Sequence, residues 1–123
     1  MIPLNTARDA CVFCSIVDRT QHAKDLTGHG GNIFSFIPLS PVTPGHRLFV
    51  PSKHASTAKH SPELTGACME AAAAYGARTP ELDFNLIVNA GPAATQTVHH
   101  LHIHYVPRQQ GDGLHLPWTG QKK

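Results

Sequence analysis

The sequence predicts one α+β domain over residues 1–123, built as an antiparallel sheet with one main helix packed against it. Three observations support this fold class. The length suits a single hydrophobic core. Short β-type runs alternate with turn signals, and one longer segment has the three-to-four spacing of an amphipathic helix. Strands that follow one another in sequence favour antiparallel pairing, with the helix covering one face.

The first half of the chain predicts two strands. Segment 15–18 is compatible with the start of a short helix or strand, and segment 21–31, with three glycines, predicts a loop. Segment 32–37 has the β-branched and aromatic content of a strand and is closed by Pro38. A proline-rich turn then leads into a second strand at 46–51, which predicts an antiparallel pair.

The main helix begins after Ser61. This residue is a suitable N-cap, Pro62 suits the first helical position, and Gly76 suits the end. Segment 83–89 then alternates apolar and polar residues and predicts a further strand. The apolar residues of the helix recur along one face: Leu64, Cys68, Ala71, Ala72 and Tyr75.

Segment 97–106 alternates histidine with apolar residues. Read as a strand, it places His100, His102 and His104 on one face and the apolar residues between them on the other. One interpretation is an edge strand with a polar outer face. Such faces normally carry Lys, Thr, Glu or Ser, so three imidazoles favour a chemical role.

Composition limits the possible partners. A formal charge of +2 is too small for a surface that binds a nucleic-acid polymer, and no segment is apolar enough over the length needed to cross a bilayer. The first nine residues lack the features of a secretory signal, so we expect a cytoplasmic protein. Three cysteines do not indicate a disulfide framework. Cys11 and Cys14 form a C-x-x-C pair, whose spacing is typical of half a zinc site or of a redox pair.

The heptad at 100–106 resembles the signature of the histidine triad (HIT) superfamily, in which three histidines alternate with apolar residues. The turn at 41–46, segment 48–54 and segment 96–98 are similar to other parts of that family. The C-x-x-C and the closing segment 112–118 resemble its bacterial branch. This resemblance implies a HIT-like fold with about five antiparallel strands, one main helix and a short N-terminal helix. We expect the tail at about 119–123 to be disordered.

The resemblance also implies an activity. HIT enzymes are nucleotide hydrolases or nucleotidyl transferases that act at the α-phosphate of a nucleoside phosphoramidate or dinucleoside polyphosphate. His102 matches the nucleophile, whose neutral imidazole forms a nucleotidyl-histidine intermediate. The alternative is a nucleotide-binding or regulatory module with little turnover. A third hypothesis is a metallohydrolase in which His102, His104 and His46 hold a catalytic metal.

The other site residues are carried over by position. His104 and His46 match donors to the phosphate, and Gln96 and Thr97 would add neutral donors. Thr97 would also help to protonate the leaving group, and Asn89 would orient a phosphate oxygen or the linking atom. This mechanism needs no catalytic metal.

The resemblance implies a structural zinc site and a homodimer. In zinc-containing members the C-x-x-C pairs with two histidines, which correspond here to His54 and His100. Together with Cys11 and Cys14 they form a closed tetrahedral set without an open position for water. A reduced, metal-free cysteine pair is the alternative. The dimer would form by packing helices and extending the sheet.

Two positions depart from the family pattern. Most relatives carry a carboxylate or amide, usually Asp, eight residues before the residue that matches His46, where it holds the ribose hydroxyls; here it is Pro38. Thr95 stands where relatives usually have Gly. Candidates for an apolar pocket around the base are Phe13, Ile16, Phe34, Phe36, Ile37 and Leu48.

Overall fold

The computed structural model describes residues 10–117. The expected tail at 119–123 and the first nine residues lie outside this range. The sheet has five antiparallel strands in the order β1-β2-β3-β5-β4. None of the helices within residues 10–117 is long and apolar enough to cross a membrane. In chain order the elements are α1 (Val12–Val17), β1 (Lys24–Gly28), β2 (Ile33–Ile37), β3 (Arg47–Pro51), α2 (Pro62–Gly76), β4 (Asp83–Val88), a 3-10 turn (Pro92–Ala94) and β5 (Ile103–Arg108).

The two helices cover opposite faces of the sheet. Residues of α1 pack with Phe36, Leu48 and Val50 in one core. Residues of α2 pack with Phe49 and with the apolar residues of the histidine segment in a second core. The alternation of strand side chains between two faces produces this division, because Phe49 points to one helix while its neighbours in sequence point to the other. The domain therefore has three layers, with α2 on one face of the sheet and α1 on the other.

The main helix and the first strand pair confirm the sequence prediction. The Ser61 hydroxyl accepts a hydrogen bond from the Leu64 N–H at 3.1 Å, and Pro62 is the first helical residue. This cap satisfies one of the free N–H groups at the start of the helix. β2 and β3 pair antiparallel with Phe36 opposite Leu48.

β1 corrects the prediction of a loop over 21–31. Its sequence, KDLTG, lacks the β-branched and aromatic content that marks a strand. Asp25 has a positive φ of 58°, and the register shifts between Lys24 and Thr27. A buried residue of β3 holds this irregular strand, since the Arg47 guanidinium donates 2.7 Å hydrogen bonds to the Asp25 carboxylate and to its carbonyl oxygen. The contact joins residues far apart in sequence, so local composition did not indicate it.

The histidine segment is a strand over only part of its predicted length. Pairing begins at Ile103, so of the triad only His104 lies in β5, while His100 and His102 precede it. The predicted alternation nevertheless holds through both parts. Leu101, Ile103 and Tyr105 are all buried in the core beneath α2.

Candidate active site and metal centre

His102 is held in one tautomer by the backbone. Its Nδ1–H donates to the carbonyl oxygen of His100 at 2.8 Å. The proton is therefore on Nδ1, and the lone pair is on Nε2. Burial lowers the pKa of His102, against the opposing effect of the same hydrogen bond. At neutral pH the side chain is thus a neutral imidazole with a nucleophilic Nε2.

His46 and His104 form a directional relay. The Val42 N–H donates to His46 Nδ1 at 3.0 Å, so the proton of His46 is on Nε2. That Nε2–H points at His104 Nδ1, 3.1 Å away. His104 Nδ1 must then accept, which leaves the His104 proton on Nε2 as a free donor. Because the Nε2–H of His46 is already used, any effect of His46 on a ligand would be transmitted through His104.

Burial keeps the relay neutral. It lowers the pKa of His46 and, together with repulsion from His102 and His46, lowers the pKa of His104 to about 4. The rings of His102 and His104 lie 5.1 Å apart between centroids. The nucleophilic nitrogen and the donor are thus carried on adjacent rings, which suits them to two atoms of one phosphate group.

The structure separates the three remaining phosphate candidates. Gln96 is buried, and its amide is fully engaged: it donates to the Ser56 and Val98 carbonyls at 2.7 and 2.9 Å and accepts from the Gly91 N–H at 2.9 Å. It therefore braces the loop and has no hydrogen left to donate to a substrate.

Thr97 and Asn89 are more accessible. Thr97 is exposed, next to the buried Gln96. Asn89 is half-buried and comes directly after β4, whose last residue pairs with Ile103. It therefore lies at the end of the ladder where His102 precedes β5. The structure brings Asn89 to the histidines through sheet register.

Thr95 has the backbone conformation that its position in the family predicts for glycine. Its φ is 69°, in the left-handed region. Glycine adopts this conformation without the steric cost of a Cβ. The side chain of Thr95 is exposed.

Cys11, Cys14, His54 and His100 come together in one cluster. Their ligand atoms all lie within 4.8 Å of one another. Cys11 Sγ and Cys14 Sγ lie 3.3 and 3.5 Å from His100 Nδ1, and Cys14 Sγ lies 3.3 Å from His54 Nδ1. Ligands of a tetrahedral zinc ion with two sulfurs and two nitrogens are separated by about 3.3–3.8 Å. The cluster therefore fits a metal ion of this kind.

Hydrogen bonds to backbone groups orient two side chains of this cluster. The His100 Nε2–H donates to the Pro51 carbonyl at 2.9 Å, so Nδ1 presents its lone pair to the cysteines. The Cys14 N–H, at the start of α1, donates to Cys11 Sγ at 3.3 Å, which fixes the position of that sulfur. Both hydrogen bonds join a backbone group to a candidate metal ligand, and such contacts orient the ligand side chains.

His100 connects the two sites. Its side chain belongs to the metal cluster, and its carbonyl oxygen sets the tautomer of His102. It is fully buried. Any shift of its backbone would therefore displace the acceptor that holds the His102 imidazole.

An apolar cavity of about 460 Å³ opens beside the triad. Of the candidate pocket residues, all except Phe34 line it. No triad histidine does, but Phe13 joins the two regions because its ring packs edge-on against that of His102 at 5.2 Å. Val12, Pro41 and Val98 line the cavity as well and were not among the candidates, because their sequence context gives no sign of a pocket. Pro38 lies in the wall.

Comparisons with known proteins show the family of this chain. The family described as "HIT domain" matches residues 19–111. This match covers most of the chain, and the site has the triad geometry. The protein therefore belongs to the HIT domain family.

Three relatives illustrate the likeness. The chain is 31% identical over 89% of its length to adenylylsulfatase HINT3 of Arabidopsis thaliana, of which the match spans 58%. It is 31% identical over 92% of its length to adenosine 5'-monophosphoramidase HNT1 of Saccharomyces cerevisiae, of which 72% is covered. A crystal structure of a zinc-bound histidine triad family protein from Mycobacterium smegmatis has a TM-score of 0.72 and 32% identity, covering 88% of this chain and 81% of that one.

Proposed function

We propose that the protein is a nucleotide hydrolase or nucleotidyl transferase that acts at the α-phosphate of a nucleoside phosphoramidate or related nucleotide through a nucleotidyl-His102 intermediate. The observation that carries the proposal is the tautomer of His102, whose Nδ1–H is donated to the His100 carbonyl. The names of two relatives, an adenylylsulfatase and a monophosphoramidase, support a substrate in which an adenylyl group carries a leaving group.

The first step transfers the nucleotidyl group to the enzyme. The Nε2 lone pair of His102 attacks the α-phosphorus, and the bond from phosphorus to the leaving nitrogen or oxygen breaks with its electron pair. The His104 Nε2–H donates to a non-bridging oxygen and stabilises its charge. The exposed hydroxyl of Thr97 assists protonation of the leaving group, and Asn89 orients an oxygen of the phosphate.

The second step releases the nucleotide. Water, or another acceptor, attacks the same phosphorus, and the bond between phosphorus and Nε2 breaks. The attacking water releases its proton to solvent, and the electron pair of the broken bond returns to Nε2. The product is the nucleoside monophosphate, and His102 returns to the neutral tautomer that its hydrogen bond to His100 favours. None of these steps requires a catalytic metal.

We assign a structural zinc ion to the four-residue cluster. Two thiolates and two imidazoles complete a tetrahedron and leave no position for a reacting water. When bound, zinc would fix α1 to the histidine segment. The chain's own part is to hold the His100 side chain in place, so that its carbonyl keeps His102 oriented.

A second copy of the chain is the proposed partner of β4. The two edges of the sheet differ. β1 is short, carries exposed Lys24 and Asp25 and has an irregular register, features that discourage strand addition. β4 is regular over six residues, and its apolar side chains are only partly buried. Size-exclusion chromatography with light scattering tests this assignment: a dimer supports it, and a monomer at micromolar concentration contradicts it.

The proposed reaction is tested by looking for the intermediate. The protein is mixed with adenosine 5'-phosphoramidate and quenched in alkali, because a phosphorus–nitrogen bond to histidine is labile in acid, and peptides are analysed by mass spectrometry. We expect an adenylyl adduct on His102 and release of AMP. His102→Ala should lose the adduct and turnover while remaining folded.

The matched control is His99→Ala. His99 adjoins the same segment but is exposed, and it makes none of the triad's hydrogen bonds described here. This variant should form the adduct normally. Full activity of His102→Ala would overturn the mechanism, and binding of nucleotides without any product would identify the protein as a binding module instead.

A further inference from the structure

The short helix α1 contributes side chains to both the Cys/His cluster and the apolar cavity. Cys11, its N-cap, and Cys14 are three residues apart on one side of the helix, where both sulfurs lie within 3.5 Å of His100 Nδ1. Phe13 and Ile16, also three residues apart, lie in the wall of the cavity. A stretch of six residues therefore carries two candidate metal ligands and part of the wall of a second site.

The buried ring of Phe13 contacts both regions. It packs edge-on against His100 and His102, with 5.8 and 5.2 Å between ring centroids. A third edge-on contact, at 5.3 Å, joins it to Phe36 of β2, which also lines the cavity. Phe13 thus touches a candidate metal ligand, the His102 imidazole and the cavity wall at the same time.

The helix α1 has little stability of its own. It is six residues long, and isolated helices of this length do not form in water. Its place in the fold depends on the packing of its apolar side in the core and on the contacts of Cys11 and Cys14 with His54 and His100. Thiols form only weak hydrogen bonds. Binding of a metal ion by all four side chains would therefore hold α1 more firmly than these contacts do.

A ligand in the cavity would favour the same position of α1. Apolar surface buried against Phe13 and Ile16 stabilises the helix against the sheet. When two ligands each order the same element, the first to bind lowers the entropic cost of binding the second. Each then raises the affinity of the other, and by the same factor.

We propose that zinc binding and nucleotide binding are coupled through α1, and that Phe13 is the positioning residue that carries this coupling. The inference rests on the proposed function, because it concerns the affinity of the same site for nucleotides. When Cys11 and Cys14 are fixed as ligands, the Phe13 ring keeps its place against the cavity and against His102. When they are not, the nucleotide must order this part of the wall as it binds. Nucleotide affinity then depends on metal occupancy.

The test measures the coupling in both directions and needs no turnover. Calorimetry with AMP is carried out on the protein loaded with one equivalent of zinc and on the protein stripped by a chelator. We expect the Kd for AMP to be about 5–50-fold lower in the loaded protein. Saturating AMP should lower the Kd for zinc, measured by competition with a chromophoric chelator, by the same factor.

Two variants test the role of Phe13. Phe13→Leu keeps an apolar side chain on α1 but removes the ring, so it should still bind one zinc ion per chain while the coupling falls below about twofold. Phe36→Leu is the matched control, since it removes a ring from the same cavity but from β2. It should weaken AMP binding in both states and leave the coupling factor unchanged. An equal coupling factor in the two variants would overturn the role of Phe13.

The remaining outcomes separate this inference from the proposed function. Equal binding of AMP to the loaded and the stripped protein would overturn the coupling and leave the proposed reaction intact. A stripped protein that is unfolded by circular dichroism would also overturn it, because the coupling would then belong to folding of the whole domain. If AMP binds neither form, the proposed function fails, and the inference fails with it.

Discussion

The relay from Val42 through His46 to His104 predicts a non-additive pattern of mutations. His46 makes one contact in the relay that matters for chemistry, the 3.1 Å hydrogen bond that places the His104 proton on Nε2. Replacing His46 with Leu removes that hydrogen bond and preserves side-chain bulk. His104 then keeps its place but loses the constraint on its tautomer. His104→Ala removes the donor itself.

The magnitudes follow from the number of hydrogen bonds lost. One buried hydrogen bond contributes about 1–2 kcal/mol, so His46→Leu should lower kcat by about 5–30-fold. Loss of a donor to a charged transition-state oxygen costs about 10²–10³ in kcat, so His104→Ala should fall in that range. Because His46 acts through His104, the double variant should be no slower than His104→Ala alone.

The assay is single-turnover release of AMP from adenosine 5'-phosphoramidate by the four proteins of the cycle. Circular dichroism and metal content establish that each variant is folded. The coupling free energy should equal the whole effect of His46→Leu. If the two losses multiply instead, His46 contacts the substrate independently of His104, and the directional relay is wrong.

Three further predictions concern packing, metal and pH. Gly76→Ala should lower the free energy of unfolding by about 1–3 kcal/mol, because a Cβ there would lie 2.6 Å from Cζ of Phe84. Gly66→Ala in the same helix meets no atom within 4 Å and should raise the free energy of unfolding by about 0.5–1 kcal/mol. Urea denaturation measures both effects. Equal effects of the two would contradict the packing described here. Cys14→Ser should lower the bound zinc, measured by mass spectrometry of the metal, well below one ion per chain, and undiminished zinc would place the ion elsewhere. The pKa of His104 is lowered from 6.5 to about 4, so the unfolded state binds the extra proton between these values, and stability should fall as the pH drops from about 6.5 toward 4; urea midpoints that stay constant across that window would refute the burial of a neutral imidazole.

Local patterns in the sequence predicted the elements whose stability is local. Ser61 and Pro62 specify the start of α2 by a hydrogen bond three residues away and a fixed φ, and both lie where the sequence predicts. The alternation around His102 holds even before β5 begins, because burial of Leu101 and Ile103 beneath α2 fixes the direction of every second side chain. Such features depend only on local hydrogen bonds, on the periodicity of apolar residues in the sequence and on their burial in one core.

Features that depend on distant contacts could not be predicted from local patterns. β1 is held by a guanidinium from β3, which binds the Asp25 carboxylate and carbonyl oxygen. This contact spans 22 residues of sequence, and no run of β-forming residues indicates it. The order of the relay is similar. The family resemblance implies that both His46 and His104 donate to the phosphate, whereas a backbone N–H from the turn directs the proton of one toward the other. Which ring nitrogen carries the proton depends on the donors and acceptors that the fold brings next to it, and local sequence does not indicate them.

The Cys/His cluster and the His102 imidazole meet at one residue, His100. His100 is held on three sides: its Nε2–H by the Pro51 carbonyl, its Nδ1 by the cluster, and its carbonyl by the Nδ1–H of His102. The stretch that contains it is not paired in the sheet, so ladder hydrogen bonds do not fix its backbone. A backbone hydrogen bond from the Leu101 N–H to the Ala55 carbonyl at 2.6 Å holds the peptide that follows His100, and the contacts of the His100 side chain add to it. A tetrahedral metal site would add a further constraint from the short N-terminal helix. We therefore expect the cysteines far upstream in sequence to serve the orientation of His102 without taking part in its chemistry.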